Sequence, residues 1–137
     1  MELIGTIRTF DEDMRQNLFT DFRTIAEHVA AAHGAKAIAQ IPFGPSYPKL
    51  VNDPELTARM LPSLKKVAGA EVLQMDLLTV SEDFAFFSNE VPGFYFFVGS
   101  TPKGVYAQTA PSNHSPKFFL DESSLPLATR ALSQVSV

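Results

Sequence analysis

Met14, Leu18, Phe22, Ile25 and Val29 are spaced by three or four residues, the period of one face of an α-helix. Asp11 stands ahead of them as an N-cap. Asp13 adds negative charge to the first turn, where the helix dipole favours it. Gly34 follows at the place where a helix commonly ends in a left-handed residue. The spacing predicts a helix from Asp11 to Gly34. Before it, residues 2–10 read as a strand with no turn or cap in front, so its neighbours are expected elsewhere in the chain or in another chain. After it, Ala37, Ala39 and Ile41 alternate with Lys36, Ile38 and Gln40, the period of a strand. Strand, helix and strand in about 40 residues make an α+β half-unit.

Pro42, Gly44, Pro45 and Pro48 make residues 42–52 a non-helical connector and a candidate domain boundary. Asp53-Pro54 is a strong helix start, with a cap followed by proline at the first helical position. Leu56, Met60, Leu64 and Val67 form the apolar stripe of that second helix; Pro62 lies inside it and Gly69 ends it. Residues 72–75 read as a short strand. Ser81 is placed to cap a short helix running to about Asn89. Pro92-Gly93 turns the chain into residues 94–98, a continuous apolar run expected of a buried central strand. Residues 99–113 read as loop. A final helix starts at Asp121 or Ser123, with Leu127, Ala131, Leu132 and Val135 spaced to pack on a sheet.

Composition narrows the class. Of the 137 residues, 45% are hydrophobic and 19% charged, which suits one folded domain or two small pieces and not a disordered chain. A net charge of −4 with no basic block argues against a nucleic-acid partner. No apolar run is long enough to span a bilayer, and no signal peptide is visible. Cysteine is absent, which excludes disulfides, zinc–thiolate sites and a cysteine nucleophile and fits a cytoplasmic location.

A few residues carry candidate chemistry. His114 lies in the loop stretch Ser112-Asn113-His114-Ser115-Pro116; a neutral imidazole there is either a metal ligand or a loop-bracing side chain. Ser81, Glu82 and Asp83 are ordinary helix-start chemistry. If they line a pocket, the N–H groups of the helix start would face an anionic group, and Glu82 could orient a ligand histidine. Arg8 lies mid-strand, either solvated or paired, and its planar guanidinium suits a carboxylate. His28 and His33 are five apart on a helix and do not share a face. No phosphate loop, nucleophile elbow or H-E-x-x-H motif is present.

Order adds what no single motif supplies. Gly5-Thr6-Ile7-Arg8-Thr9-Phe10-Asp11, Val51-Asn52-Asp53-Pro54, Ser81-Glu82-Asp83-Phe84-Ala85-Phe86-Phe87, Pro92-Gly93-Phe94-Tyr95, His114-Ser115-Pro116 and Asp121-Glu122 follow one another along the chain. In this order they resemble the C-terminal part of the M20 metallopeptidase family, in particular its amidohydrolase branch. That branch holds hippurate hydrolases, N-acyl-amino-acid amidohydrolases and IAA-amino-acid hydrolases.

The resemblance implies a fold of α+β and α/β parts. Residues 1–43 would be the last strand–helix–strand of a ferredoxin-like lid, or dimerisation, domain. Residues 44–137 would be the C-terminal part of a phosphorylase/hydrolase-like α/β catalytic domain. It implies hydrolysis of the amide bond of N-acyl amino acids or small peptides by a water activated at two divalent metals, zinc or manganese. His114 would be a metal ligand, and Arg8, Ser81 and Glu82 would bind substrate, with Arg8 on its carboxylate.

The departures matter equally. Nothing in the chain matches the family's other metal ligands or its catalytic glutamate. The lid histidine and asparagine ahead of the Gly-Thr-x-Arg strand are missing, and Val80 stands where glycine is usual. A C-terminal fragment of the family, inactive by itself, binding metal weakly and forming homo-oligomers, is therefore expected. The alternative is a free-standing, non-catalytic binding or oligomerisation module of the same fold.

Overall fold

The computed structural model describes residues 1–136. The main helices are α1 (Glu12–Ala32), α2 (Pro54–Ala68), α3 (Phe84–Ser88) and α4 (Ser124–Val135), with short 3₁₀ turns at Gly69–Glu71 and Ala107–Thr109. They fall in two compact units. One consists of Met1–Val51 with Asp76–Gly93 and carries α1 and α3. The other consists of Asn52–Met75 with the chain from Phe94 onward and carries α2 and α4. None of the described helices is long and apolar enough to cross a membrane.

In the first unit α1 begins where its cap residue demands. Asp11 is extended, and its carboxylate accepts from the Met14 N–H at 2.7 Å, satisfying one of the donors a helix start leaves open. Glu12 pairs with Arg15 at 2.6 Å and accepts from Gln16 at 2.8 Å. The hydrogen bonds from Gln16 and Arg15 hold its carboxyl below the ordinary carboxylate range. At the other end Ala35 donates to Ala30 (2.8 Å) and Gly34 to Ala31 (3.0 Å). This paired closure needs a left-handed residue, and Gly34 supplies it at φ +69°.

The face that α1 buries is not the one its spacing predicts. Phe19 is the buried residue, and Arg15, Ala26 and Ala30 are half-buried beside it. Met14, Leu18, Phe22, Ile25 and Val29 are 38–62% exposed. In α3, Ala85 is fully buried. Gly93 passes so close to α3 that an added Cβ would stand 2.7 Å from the Ser88 Cβ, so the Pro92-Gly93 turn accepts no larger residue without a shift.

In the second unit α2 packs on α4. Asp53 caps α2 through the Leu56 N–H at 2.7 Å, with Pro54 inside the first turn, as the sequence predicts. Leu64 is buried and Leu56, Met60 and Val67 are half-buried, so this stripe does face inward. Pro62 is accommodated on the exposed side of a continuous helix. In α4, Ala131 is buried and Leu127 and Val135 are half-buried, while Leu132 is 61% exposed. The final helix thus packs on a helix rather than on the expected sheet.

The four predicted strands, residues 2–10, 35–41, 72–75 and 94–98, form no β-ladder among the described residues. A strand is defined by lateral main-chain pairing, and none of these four stretches is assigned such pairing among the described residues. The substitute is visible at Tyr95. Its N–H donates to Asn52 Oδ1 at 2.8 Å, and its carbonyl accepts from Asn52 Nδ2 at 2.7 Å. A side-chain carboxamide there takes both bonds that a neighbouring strand would make.

Candidate functional site

Residues 8 and 81 lie 73 positions apart, and the first unit brings them together. Arg8 Nη1 donates to Ser81 Oγ at 2.9 Å. Both residues are exposed. The guanidinium has five N–H donors in a rigid fork. Ser81 engages one nitrogen, and a guanidinium has further donors with which to meet a carboxylate in two-point fashion.

The segment after Ser81 departs from expectation. Ser81 does not cap the helix: α3 starts only at Phe84 and is five residues long. Glu82 accepts from the Phe84 N–H at 3.3 Å, so its carboxylate serves the helix start itself, and a five-residue helix offers no dipole for an external anion. The anionic partner is left to Arg8.

Two features were not found by sequence reasoning. Arg15 Nη1 donates to Ser46 Oγ and to the Tyr47 carbonyl, both at 2.9 Å, tying the proline-rich connector to α1. Tyr47 in turn meets Phe86, with ring centroids 5.7 Å apart and planes tilted by 55°. The Ser46-Tyr47 pair among prolines was the only available signal.

His114 belongs to the second unit. It lies in the turn closed by Ser115 N–H donating to the Ser112 carbonyl at 2.9 Å, and it is exposed. The Ser115 hydroxyl accepts from the Lys117 N–H at 3.1 Å. The whole loop is drawn in at its base, where the Asp121 N–H donates to the Ser100 carbonyl at 2.9 Å. Asp121 also accepts from the Ser123 N–H at 2.9 Å. Hydrogen bonds from Ser123, helped by the charge of Lys103, lower its pKa. Among the described residues no three His, Cys, Asp or Glu side chains gather closely enough to hold a metal ion. A catalytic metal takes three protein ligands as a rule, so the side chains described here do not by themselves fit such a centre.

Comparison with known proteins gives these local features a family. The family model for peptidase family M20/M25/M40 matches residues 12–136. Thermostable carboxypeptidase 1 of Saccharolobus solfataricus is 33% identical over 139 residues, covering 99% of this chain and 33% of its own length. The uncharacterized hydrolase y4tI of Sinorhizobium fredii is 34% identical over 119 residues, covering 86% of this chain and 28% of its own length. N-acetylcysteine deacetylase of Bacillus subtilis is 28% identical over 136 residues, covering 99% and 33%. The chain spans about a third of the length of these curated relatives. No solved structure matches. With the family model covering nearly every residue, the chain belongs to peptidase family M20/M25/M40.

Proposed function

We propose that this chain serves amide-bond hydrolysis of N-acyl amino acids or small peptides, its first unit contributing a substrate-carboxylate clamp and its second unit carrying one imidazole suited to ligate a metal. The observation that carries the reading is the Arg8–Ser81 bond at 2.9 Å. The residues that the resemblance assigns to carboxylate recognition and to pocket lining lie in one unit and in contact. The names of the relatives, a carboxypeptidase and a deacetylase of an N-acyl amino acid, denote substrates with a free carboxylate beside the scissile amide.

In this reading Arg8 holds the carboxylate through paired charge-assisted hydrogen bonds. Ser81 accepts from the guanidinium and biases its orientation, and Glu82 accepts from the Phe84 N–H in the adjoining turn. His114 would be one ligand of a zinc or manganese centre, whose other ligands and general base would have to come from groups other than the side chains described here. By the family resemblance, residues 1–43 would be the end of a lid domain and residues 44–137 the C-terminal part of a catalytic α/β domain, whereas the compact units group residues 76–93 with residues 1–51.

The test compares an N-acyl amino acid with its C-terminal amide, which lacks the carboxylate charge. The parent chain should bind the acid at least about tenfold more tightly than the amide. Arg8→Ala should abolish the difference, while Arg8→Lys should retain part of it. Equal binding of acid and amide by the parent chain sinks the reading.

A second reading has an observation of its own. The exposed α1 stripe suits a non-catalytic oligomerisation module, which would self-associate through α1 and ignore N-acyl amino acids altogether.

A further inference from the structure

The chain passes between its two compact units three times: after Val51, after Met75 and after Gly93. Two of these crossings are tied together. Asn52 is the first residue beyond one, and Tyr95 is the second residue beyond the other. The Asn52 carboxamide donates to the Tyr95 carbonyl at 2.7 Å and accepts from the Tyr95 N–H at 2.8 Å. A planar carboxamide bonded through both of its ends resists twisting, so the two connections enter the second unit as a pair. Each is also fixed where it leaves the first unit. Gly93 is pressed against α3, with the Ser88 Cβ 2.7 Å from where a Cβ of its own would stand. On the other connection Arg15 holds Ser46 and the Tyr47 carbonyl, both at 2.9 Å, and the ring of Pro48 restricts its φ. Between these anchors only Phe94 on one connection and residues 48–51 on the other are left to turn.

The third crossing is built differently. Residues 73–80, on either side of it, are exposed throughout and make no hydrogen bond among the described residues. A stretch of this length can extend to about 26 Å, so it acts as a slack tether. Two short connections clasped side by side, with one long slack connection, are the covalent layout of a hinge. In a hinge a few residues at the ends of elements absorb the change in φ and ψ while the bodies on either side keep their internal packing.

We propose that the Asn52–Tyr95 bridge is the pivot of a hinge about which the two units rotate as bodies, with residues 73–80 taking up the change in length. While both bonds stand, the paired connections cannot part, and the movement is confined to bending at the pair. With the bridge broken, each connection turns by itself and the units gain freedom to swivel. Both clasped crossings lie within residues 44–137, so this pivot is distinct from the lid boundary that the family resemblance sets at residue 43. It is also independent of the carboxylate-clamp reading.

The experiment measures distance distributions between paired nitroxide spin labels on the full chain, which has no cysteine of its own to interfere. Labelled chain is diluted into an excess of unlabelled chain, so that only distances within one molecule are read. Asn17→Cys with Gln134→Cys spans the two units. Asn17→Cys with Glu90→Cys lies within the first unit, and Arg59→Cys with Gln134→Cys within the second; all four positions are exposed. The spanning pair should give a broader distribution than either internal pair. Asn52→Ala should broaden the spanning distribution further and leave both internal pairs and the helical circular dichroism unchanged. Asn52→Asp, which keeps the acceptor for the Tyr95 N–H, should fall between the parent and Asn52→Ala and guards against loss of folding in the alanine variant. Leu77→Gly should change nothing, because its connection is already slack. A spanning distribution as narrow as the internal ones overturns the hinge. No change on Asn52→Ala, or an equal broadening of the pair inside the second unit, overturns the bridge as its pivot.

Discussion

At the scale of single residues, small polar side chains do work that larger elements would do elsewhere. Asn52 is the clearest case, because its carboxamide both donates to and accepts from the main chain of Tyr95. Each such bond contributes about 0.5–1.5 kcal/mol net. Asn52→Ala is expected to destabilise the chain by about 1–3 kcal/mol, read as a lower denaturant midpoint at unchanged slope. Asn52→Asp keeps the acceptor for the Tyr95 N–H but sets a carboxylate against the Tyr95 carbonyl, so it should not restore parental stability. Asp121 gives a pH signature. Its folded pKa lies below the ordinary 3.8, so its stabilisation is complete above that value and is lost as pH falls through the depressed folded value. An acid titration of α4 helicity should therefore show a loss beginning below about pH 4, and Asp121→Asn should remove that component. The Asn52 bridge was not legible from sequence: the Val-Asn-Asp-Pro stretch drew attention for its helix cap, while the partner of Asn52 lies 43 residues away.

At the scale of elements, capped helices were legible and strands were not. Asp11 and Asp53 cap α1 and α2 through the third N–H, and Gly34 and Gly69 follow their last residues, because these signals act within one helical turn. The strand expectations rested on alternation, which states which side chains share a face but not which segment will lie alongside. The short helix near Ser81 was misplaced by two residues because Glu82, not Ser81, meets the first helical N–H. Pro62 supplies the test at this scale. It occupies an exposed position inside α2, lacks the N–H that would bond one turn back, and costs up to about 3 kcal/mol relative to alanine. Pro62→Ala should raise the unfolding midpoint, by less than that full amount because proline also restricts the unfolded chain.

At the scale of the whole molecule, the family was legible where the architecture was not. Six motifs in order point to M20, and the family match over residues 12–136 bears that out. Arg8 and Ser81 could be named from sequence, but the aromatic pair could not, since a tyrosine in a proline-rich connector and a phenylalanine in a short helix share no spacing rule. The apolar stripe of α1, from Met14 to Val29, extends about 22 Å along the helix and stands exposed. Exposed apolar patches of this kind promote association. Light scattering on the chain should show mass rising with concentration, and Phe22→Gln with Ile25→Gln should return it towards 15.0 kDa. A parent chain that is monomeric throughout the range contradicts this expectation. The incomplete metal-ligand set leads to a companion prediction: the purified chain should show no chelator-sensitive hydrolysis of N-acyl amino acids.

The neck that closes the His114 loop has a consequence for how the chain tolerates being cut. The Asp121 N–H meets the Ser100 carbonyl, α4 stays packed on α2, and Asn52 retains its grip on Tyr95. Each stretch flanking the loop therefore has its own attachment to the second unit, independent of the peptide bonds between residues 101 and 120. A protease that nicks this exposed loop should yield two fragments that migrate together under native conditions and separate only in denaturant. By the same logic, insertions at the loop tip should be absorbed without disturbing the helices beneath.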